Sequence, residues 1–132
     1  MRIMIDTNIL ISAILFPSSH MDEIFRIITE KHKMILSSFV INEFIEVVKR
    51  KFKNKESLAD RFLSIFPYEM VYTPKVIKED LFKIRDSKDY PVLYTAIIED
   101  VDILITGDKD FFNIEIDRPE ILTPKQFLEN YS

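Results

Sequence analysis

Near the start of the chain, the stretch Ile3-Met4-Ile5-Asp6-Thr7-Asn8 is a short apolar run that ends in an acidic residue. The next apolar residues recur at helical spacing: Ile9, Leu10, Ala13 and Ile14. A short apolar run followed by this periodicity predicts a buried strand and then a helix, with Asp6 at the junction. Because Asp6 interrupts the apolar run at once, the stretch is not the hydrophobic region of a signal peptide.

The same unit of a short strand followed by an amphipathic helix recurs along the chain. Further strands are predicted at residues 34–36, 70–72, 102–106 and 121–122. Further helices are predicted on the apolar residues of 24–28, 40–48, 58–66, 77–84, 92–98 and the C-terminal segment. Capping residues or a first-turn proline mark the helix starts at Ser19 with Asp22, Ser37-Ser38, Thr73-Pro74, Pro91 and Thr123-Pro124. Strands that alternate with helices imply a three-layer α/β/α sandwich around a parallel sheet of about 4 or 5 strands.

Composition narrows the class of protein. A chain of 132 residues, 47% hydrophobic and 30% charged, has the size and make-up of a single globular domain spanning residues 1–132. No apolar run is long enough to cross a membrane, and the absence of cysteine fits a reducing compartment, so we expect a cytoplasmic protein. Gly107 is the only glycine, which excludes glycine-rich phosphate loops. With a net charge of -4, any nucleic-acid binding must be local.

Four acids lie where a ligand site of a parallel sheet is expected, which is beyond the carboxyl ends of the strands. Asp6 and Asp108 follow predicted strands, and Glu43 and Asp89 lie at or just before helix starts. Any one of them is more often a cap or turn former than a ligand, so the group carries the inference. Clustered carboxylates repel one another unless a divalent cation lies between them, and Mg²⁺ prefers such oxygen ligands. A divalent ion at such a site can activate water for the hydrolysis of a phosphodiester without a protein nucleophile.

Four segments, in order and spacing, resemble those of the PIN-domain nucleases, which include the VapC-type toxins of toxin-antitoxin pairs. The resemblance spans nearly the whole chain. Its segments are Ile3-Met4-Ile5-Asp6-Thr7-Asn8, residues 38–43, Arg85-Asp86-Ser87-Lys88-Asp89-Tyr90-Pro91 with Leu93 and Ala96, and Leu104-Ile105-Thr106-Gly107-Asp108-Lys109-Asp110.

The resemblance implies which residues form the site. The implied ligands of Mg²⁺ or Mn²⁺, directly or through water, are Asp6, Glu43, Asp89 and Asp108. Asn8 and Thr106 are implied to orient the carboxylates.

The resemblance leaves three points open. Asp110 either shares or replaces the role of Asp108, and Asp86 is a weaker alternate for Asp89. Tyr90 stands where many members of the family have a second adjacent Asp, which leaves the number of ligands open.

The implied activity is that of a magnesium-dependent endoribonuclease, and RNA rather than DNA follows from the resemblance alone. A toxin would have an antitoxin partner, and similar proteins commonly form homodimers. The alternative is a non-catalytic or receiver-like regulatory module that binds proteins. A receiver needs a phosphoacceptor Asp after its central strand, whereas Ser37 follows the strand at 34–36.

The one basic run, Lys49-Arg50-Lys51, follows the helix that carries Glu43. One interpretation is a solvated helix end, where cations are favoured by the helix dipole. The other is an RNA-binding surface, because Arg50 lies two turns beyond Glu43 on about the same side of the helix.

Overall fold

The computed structural model describes residues 1–132 and contains five strands and six α-helices. The strands are β1 (Arg2–Ile5), β2 (Lys33–Ser37), β3 (Glu69–Val71), β4 (Ile103–Ile105) and β5 (Glu120–Leu122). The helices are α1 (Thr7–Leu15), α2 (Ser19–Lys31), α3 (Ser38–Lys51), α4 (Glu56–Ile65), α5 (Tyr90–Ile98) and α6 (Pro124–Tyr131). None of the helices combines the length and the apolar character that a membrane crossing requires.

All five strands are parallel and lie in the order β3-β2-β1-β4-β5, with helices flanking the sheet. The predicted three-layer α/β/α sandwich is therefore confirmed. β1 lies in the centre, and Ile3, Met4 and Ile5 are fully buried. The chain passes from β1 to β2 on one side and later adds β4 on the other. This reversal of strand order next to β1 is the place where open α/β sheets bind ligands.

Capping side chains set the helix starts that matter for the site. The Ser37 side chain accepts the backbone N–H of Val40 at 3.1 Å, which confirms the predicted cap of α3. The α2 cap is Ser18 rather than Ser19, because its hydroxyl accepts the N–H of Met21 at 3.2 Å. A buried cap satisfies a backbone donor that water cannot reach, so Ser37 holds the start of α3 against the end of β2.

The predicted helix at residues 77–84 is wrong, because residues 72–86 contain no helix or strand. Tyr90 explains the difference. Its hydroxyl accepts the N–H of Leu81 at 3.3 Å and donates to the carbonyl of Lys78, two backbone groups that a helix would use internally. The buried Phe82 stacks on the Tyr90 ring with centroids 4.2 Å apart, whereas Leu81, on the predicted apolar face, is exposed.

The predicted helix over residues 58–66 is present as α4, but two of its apolar residues do not face the core. Ala59 is buried, whereas Leu58 and Ile65 are 46% and 68% exposed. Both line an apolar groove of about 630 Å³ that residues of α1, α2 and α4 enclose. Helical periodicity predicted the element correctly, but it could not tell which apolar residues the tertiary contacts would cover.

Candidate metal-binding site

Asp6 lies immediately after β1, in the middle of the sheet edge that the carboxyl ends of the strands form. Its backbone N–H donates to the carbonyl of Ile105 at 3.1 Å, which extends the pairing of β1 with β4 by one bond. Its carboxylate caps α1 by accepting the N–H of Thr7 at 2.8 Å, and its second oxygen accepts the Thr106 hydroxyl at 2.7 Å. Asp6 is buried, so its position is determined by the sheet and by hydrogen bonds to both of its oxygens.

Thr106 links two acids through a single hydroxyl. The residue is fully buried after β4, and its N–H donates to the carbonyl of Leu122 at 3.0 Å. While the hydroxyl donates to Asp6, it accepts the backbone N–H of Asp108 at 3.1 Å. The ends of β1 and β4 are therefore joined by side chains as well as by the backbone.

Glu43 reaches the same edge from α3. It lies on the second turn after the Ser37 cap, and its carboxylate accepts a hydrogen bond from the Thr7 hydroxyl at the start of α1. Glu43 is close enough to Asp6 for its negative charge to raise the Asp6 pKa. Sequence reasoning did not identify Thr7 as a partner of Glu43, since 36 positions separate them and no local periodicity pairs them.

Asp89, Asp108 and Asp110 form the most compact acidic group. Each presents a carboxylate oxygen, and these three atoms lie within 4.8 Å of one another. Asp89 ends a short 3-10 turn before α5, while Asp108 opens another by accepting the N–H of Asp110 at 2.9 Å. The structure thus places Asp108 and Asp110 together in the group rather than selecting one of them.

Burial and mutual repulsion raise two carboxyl pKa values at this edge. The pKa of Asp6 is raised mainly by burial and also by the charges of Glu43 and Asp108, although hydrogen bonds from Thr106 and Thr7 oppose the shift. Burial raises the pKa of Asp89 to about 8, helped by the negative charges of Asp108, Asp86 and Asp6. Both acids are thus held where a carboxylate charge is costly.

The donor set fits a hard divalent cation. The Asp89 Oδ2 atom is buried and has no hydrogen-bond partner, although a buried polar oxygen normally has one. It belongs to a residue whose carboxylate is grouped with two others, and Mg²⁺ and Mn²⁺ prefer such oxygen ligands. A cation among the three acids would satisfy this oxygen and offset their repulsion.

One cationic side chain contacts the acids directly. The Nε atom of Arg85 donates to Asp110 Oδ1 at 3.0 Å. This is the only ion pair made by any of the five acids of the site, which are Asp6, Glu43, Asp89, Asp108 and Asp110. Arg85 opens the third of the four segments that resemble the PIN-domain nucleases, but it was not predicted to have a role. No periodicity could pair it with an acid 25 positions away.

The remaining predicted residues lie at the margin of the site or outside it. Asn8 is exposed on the first turn of α1, and its side chain makes no hydrogen bond. Asp86 caps the turn before α5 by accepting the N–H of Lys88 at 3.0 Å. The run Lys49-Arg50-Lys51 is exposed in the last turn of α3, where Arg50 pairs with Glu46 at 3.5 Å. Arg50 lies about 10 Å along the helix axis from Glu43.

Comparisons with known proteins agree with this fold. A family model described as the PIN domain matches residues 2–110. No curated protein matches the sequence significantly. Among solved structures, a chain of VapBC2 from Rickettsia felis, bound to a DNA fragment from its promoter, is 22% identical with a TM-score of 0.71. That match covers 92% of this chain and 97% of that chain.

Two further structures show the same similarity. DNA-bound VapBC from Salmonella typhimurium is 17% identical with a TM-score of 0.68, and the match covers 94% of this chain and 98% of that chain. VapC20 from Mycobacterium tuberculosis, a sarcin-ricin loop cleaving toxin, is 10% identical with a TM-score of 0.61. There the match covers 83% of this chain and 92% of that chain. At these identities the similarity shows a shared fold.

Proposed function

Because the chain belongs to the PIN-domain family, we propose that it is a magnesium-dependent endoribonuclease. The observation that carries the proposal is the convergence of five acids on one sheet edge, where a buried Asp89 oxygen lacks any partner. An RNA-cleaving toxin among the structural neighbours supports RNA as the substrate class.

Each acid has a distinct part in the proposed site. Asp89, Asp108 and Asp110 would hold Mg²⁺ or Mn²⁺, since their oxygens already face one another. Asp6 and Glu43 complete the negative edge from β1 and α3, directly or through water. When bound, the ion lowers the pKa of a water molecule and offsets the charge that develops on the phosphate.

Two threonines orient these carboxylates. Thr7 donates to Glu43, and Thr106 donates to Asp6 while it receives the backbone N–H of Asp108. The Thr7 hydroxyl lies at the start of α1 and the Thr106 hydroxyl lies just after β4. Both positions are set by the fold, so the carboxylates are oriented before any ligand binds. Asn8 makes no such bond, and its implied orienting role stays a prediction.

The receiver-like alternative does not agree with the topology. Receiver domains have the strand order 2-1-3-4-5, whereas the observed order is β3-β2-β1-β4-β5. In addition, β2 ends in Ser37, which is fully buried and caps α3. A PIN fold kept only for protein contacts differs from the nuclease in one respect, which is catalysis.

The first test is therefore cleavage of RNA. With magnesium or manganese, the purified protein is expected to cut structured RNA and to leave 5′-phosphate and 3′-hydroxyl ends, and EDTA is expected to stop the reaction. A substrate with one 2′-deoxynucleotide at the mapped cleavage position should still be cut, because activated water and not the 2′-hydroxyl is the nucleophile. Products with 2′,3′-cyclic phosphate ends, or no cleavage with either metal, would contradict the proposal.

A second prediction concerns Thr106. Replacing Thr106 with Val keeps the volume but removes the hydroxyl between Asp6 and Asp108, so the carboxylates lose their shared orientation. We expect affinity for Mn²⁺ to fall by about 10- to 100-fold, as for other residues that orient metal ligands. Titration calorimetry measures the affinity, and Thr106→Ser, which keeps the hydroxyl, is the matched control. Equal affinity in the Val and Ser variants would show that the hydroxyl orients nothing.

The proposal extends to a role as the toxin of a toxin-antitoxin pair. VapBC complexes among the structural neighbours support an antitoxin protein as a partner. Co-purification with the product of an adjacent gene, and relief of growth arrest by that product, would test the pairing. Homodimerisation remains a prediction, which sedimentation of the purified chain would test.

A further inference from the structure

An RNA nuclease with this site faces an electrostatic problem. Five acids converge at the sheet edge, and the chain as a whole carries a net charge of -4. The RNA backbone is itself a polyanion, and proteins that bind it need local cations. The basic run of α3 lies toward the far end of that helix, with Arg50 engaged by Glu46. Binding of RNA at this edge therefore requires a cationic side chain near the acids.

Arg85 has the position and the free donors that this need requires. Its Nε atom is bonded to Asp110, one of the three grouped acids, at 3.0 Å. Its side chain is 86% exposed, and neither terminal nitrogen makes a hydrogen bond. Bonding through Nε leaves the N–H groups of Nη1 and Nη2 free to bind another group. An arginine presented in this way can bind a phosphate with two parallel hydrogen bonds.

The segment that carries Arg85 is anchored on both sides. Before it, the buried Phe82 stacks on Tyr90, whose hydroxyl binds the backbone at Leu81 and Lys78. After it, Asp86 accepts the N–H of Lys88, and the carbonyl of Asp86 accepts the N–H of Asp89 at 3.0 Å. The irregular segment thus places Arg85 next to the acids. The predicted helix at residues 77–84 did not indicate this position.

We propose that Arg85 binds a phosphate of the RNA backbone beside the acidic group and so positions the substrate for cleavage. This inference rests on the proposed nuclease function. Asp110 then has two roles, because it contributes an oxygen to the three-acid group and orients the guanidinium. Arg85 is a positioning residue that contacts phosphate and reads no base, so its contribution is the same for every sequence.

Binding is tested in the Asp6→Asn background, so that RNA is not cut during the measurement. Fluorescence anisotropy with a short single-stranded RNA in magnesium buffer would be recorded across a series of KCl concentrations. Arg85→Ala is expected to weaken binding about tenfold, and to reduce the slope of log affinity against log salt by about 0.7, the value for one lost phosphate contact on a single strand. Arg85→Lys keeps the charge and should restore the slope.

Lys83→Ala is the matched control, because Lys83 is an exposed cation of the same segment and pairs with no acid. It removes the same charge but should leave the salt slope unchanged. In the otherwise wild-type enzyme, Arg85→Ala should raise KM about tenfold and change kcat much less, the pattern of a lost ground-state contact. A change in metal affinity alone would indicate that Arg85 only neutralises Asp110.

The two proposals fail in different ways. If the parent protein neither binds nor cuts RNA, the nuclease function is wrong and the assignment of Arg85 falls with it. If the parent protein binds and cuts RNA while Arg85→Ala keeps the same affinity and salt slope, only the assignment of Arg85 is overturned. Faster cleavage by Arg85→Ala would likewise overturn it, since the arginine would then be blocking Asp110.

Discussion

Replacing Asp6 with Asn is expected to reduce RNA cleavage by about 10³-fold or more, a loss of about 4 kcal/mol of transition-state stabilisation. The substitution removes a carboxylate that is close enough to Glu43 and Asp108 for their charges to raise its pKa. Asn has nearly the same shape but no negative charge, so it cannot replace a carboxylate beside a divalent ion. Single-turnover cleavage of a labelled RNA would measure the loss.

The fold should survive this change. The side-chain carbonyl of the introduced asparagine can still accept the N–H of Thr7, and its amide can donate to Thr106. The Thr106 hydroxyl has a second lone pair for this bond beside the one that accepts the Asp108 N–H. We expect the free energy of unfolding in urea, without metal, to stay within about 1 kcal/mol of the wild type.

Asp60→Asn is the control for the loss of one negative charge, since Asp60 is exposed on α4 and makes no ion pair. It should cleave RNA at the wild-type rate. Wild-type activity in the Asp6 variant, with the two variants equally folded, would refute the metal site at this edge.

Magnesium is expected to raise the melting temperature on the order of 10 °C at pH 8 and much less at pH 5. The first figure follows from an ion at about 100 times its dissociation constant, which stabilises by about 2.7 kcal/mol, and from the usual scaling for a chain of this size. Differential scanning fluorimetry at both pH values, with NaCl matched for ionic strength, would measure the shift.

The pH dependence follows from the sign of the two pKa shifts. The pKa of Asp89 is about 8 in the folded protein against an ordinary value of 3.8, and the pKa of Asp6 is also raised. The folded state therefore binds these protons more tightly than the unfolded state. Without metal, the stability that these two acids contribute is fully present below their ordinary pKa and is lost as the pH rises toward 8. At pH 5 the ion must displace these protons, whereas at pH 8 it replaces a repulsion that is already present.

Asp89→Asn is the informative variant for this prediction. It removes the carboxyl whose pKa is raised to about 8 and one of the three grouped oxygens. Its melting temperature without metal should fall less between pH 5 and pH 8, and its response to magnesium should be small. Asp60→Asn should behave as the wild type in both respects. An equal magnesium response at both pH values, or in the Asp89 variant, would argue against an ion among these acids.

Local pattern was sufficient where an element is short and its neighbours along the chain determine it. The apolar run before Asp6 and the helical spacing after it predict a strand, a helix and an acid at their junction. The Ser37 cap and the Thr123-Pro124 start of α6 likewise depend on bonds that span three residues. The alternation of strands and helices then implied a parallel sheet, because parallel neighbours need crossover connections.

Tertiary contact overrode local pattern at residues 77–84. The helical spacing there is real, but Tyr90 takes the backbone groups of Lys78 and Leu81, and Phe82 supplies the buried ring. The spacing of apolar residues describes how one element would hide its own face. It does not account for Tyr90, a residue of another helix whose hydroxyl competes for the same backbone groups.

By itself, the sequence determined the fold class, the place of Asp6 at the end of the first strand, and the order of the acid-bearing segments. These follow from periodicity and from the rule that parallel strands present their carboxyl ends to one edge. Only the tertiary structure decided how the acids are held. Three hydrogen-bonded pairs hold them, and the partners are far apart along the chain: Thr106 and Asp6 by 100 positions, Thr7 and Glu43 by 36, and Arg85 and Asp110 by 25. Hydrogen bonds between residues so far apart in sequence depend on which loops come together at this edge, and no local spacing predicts that.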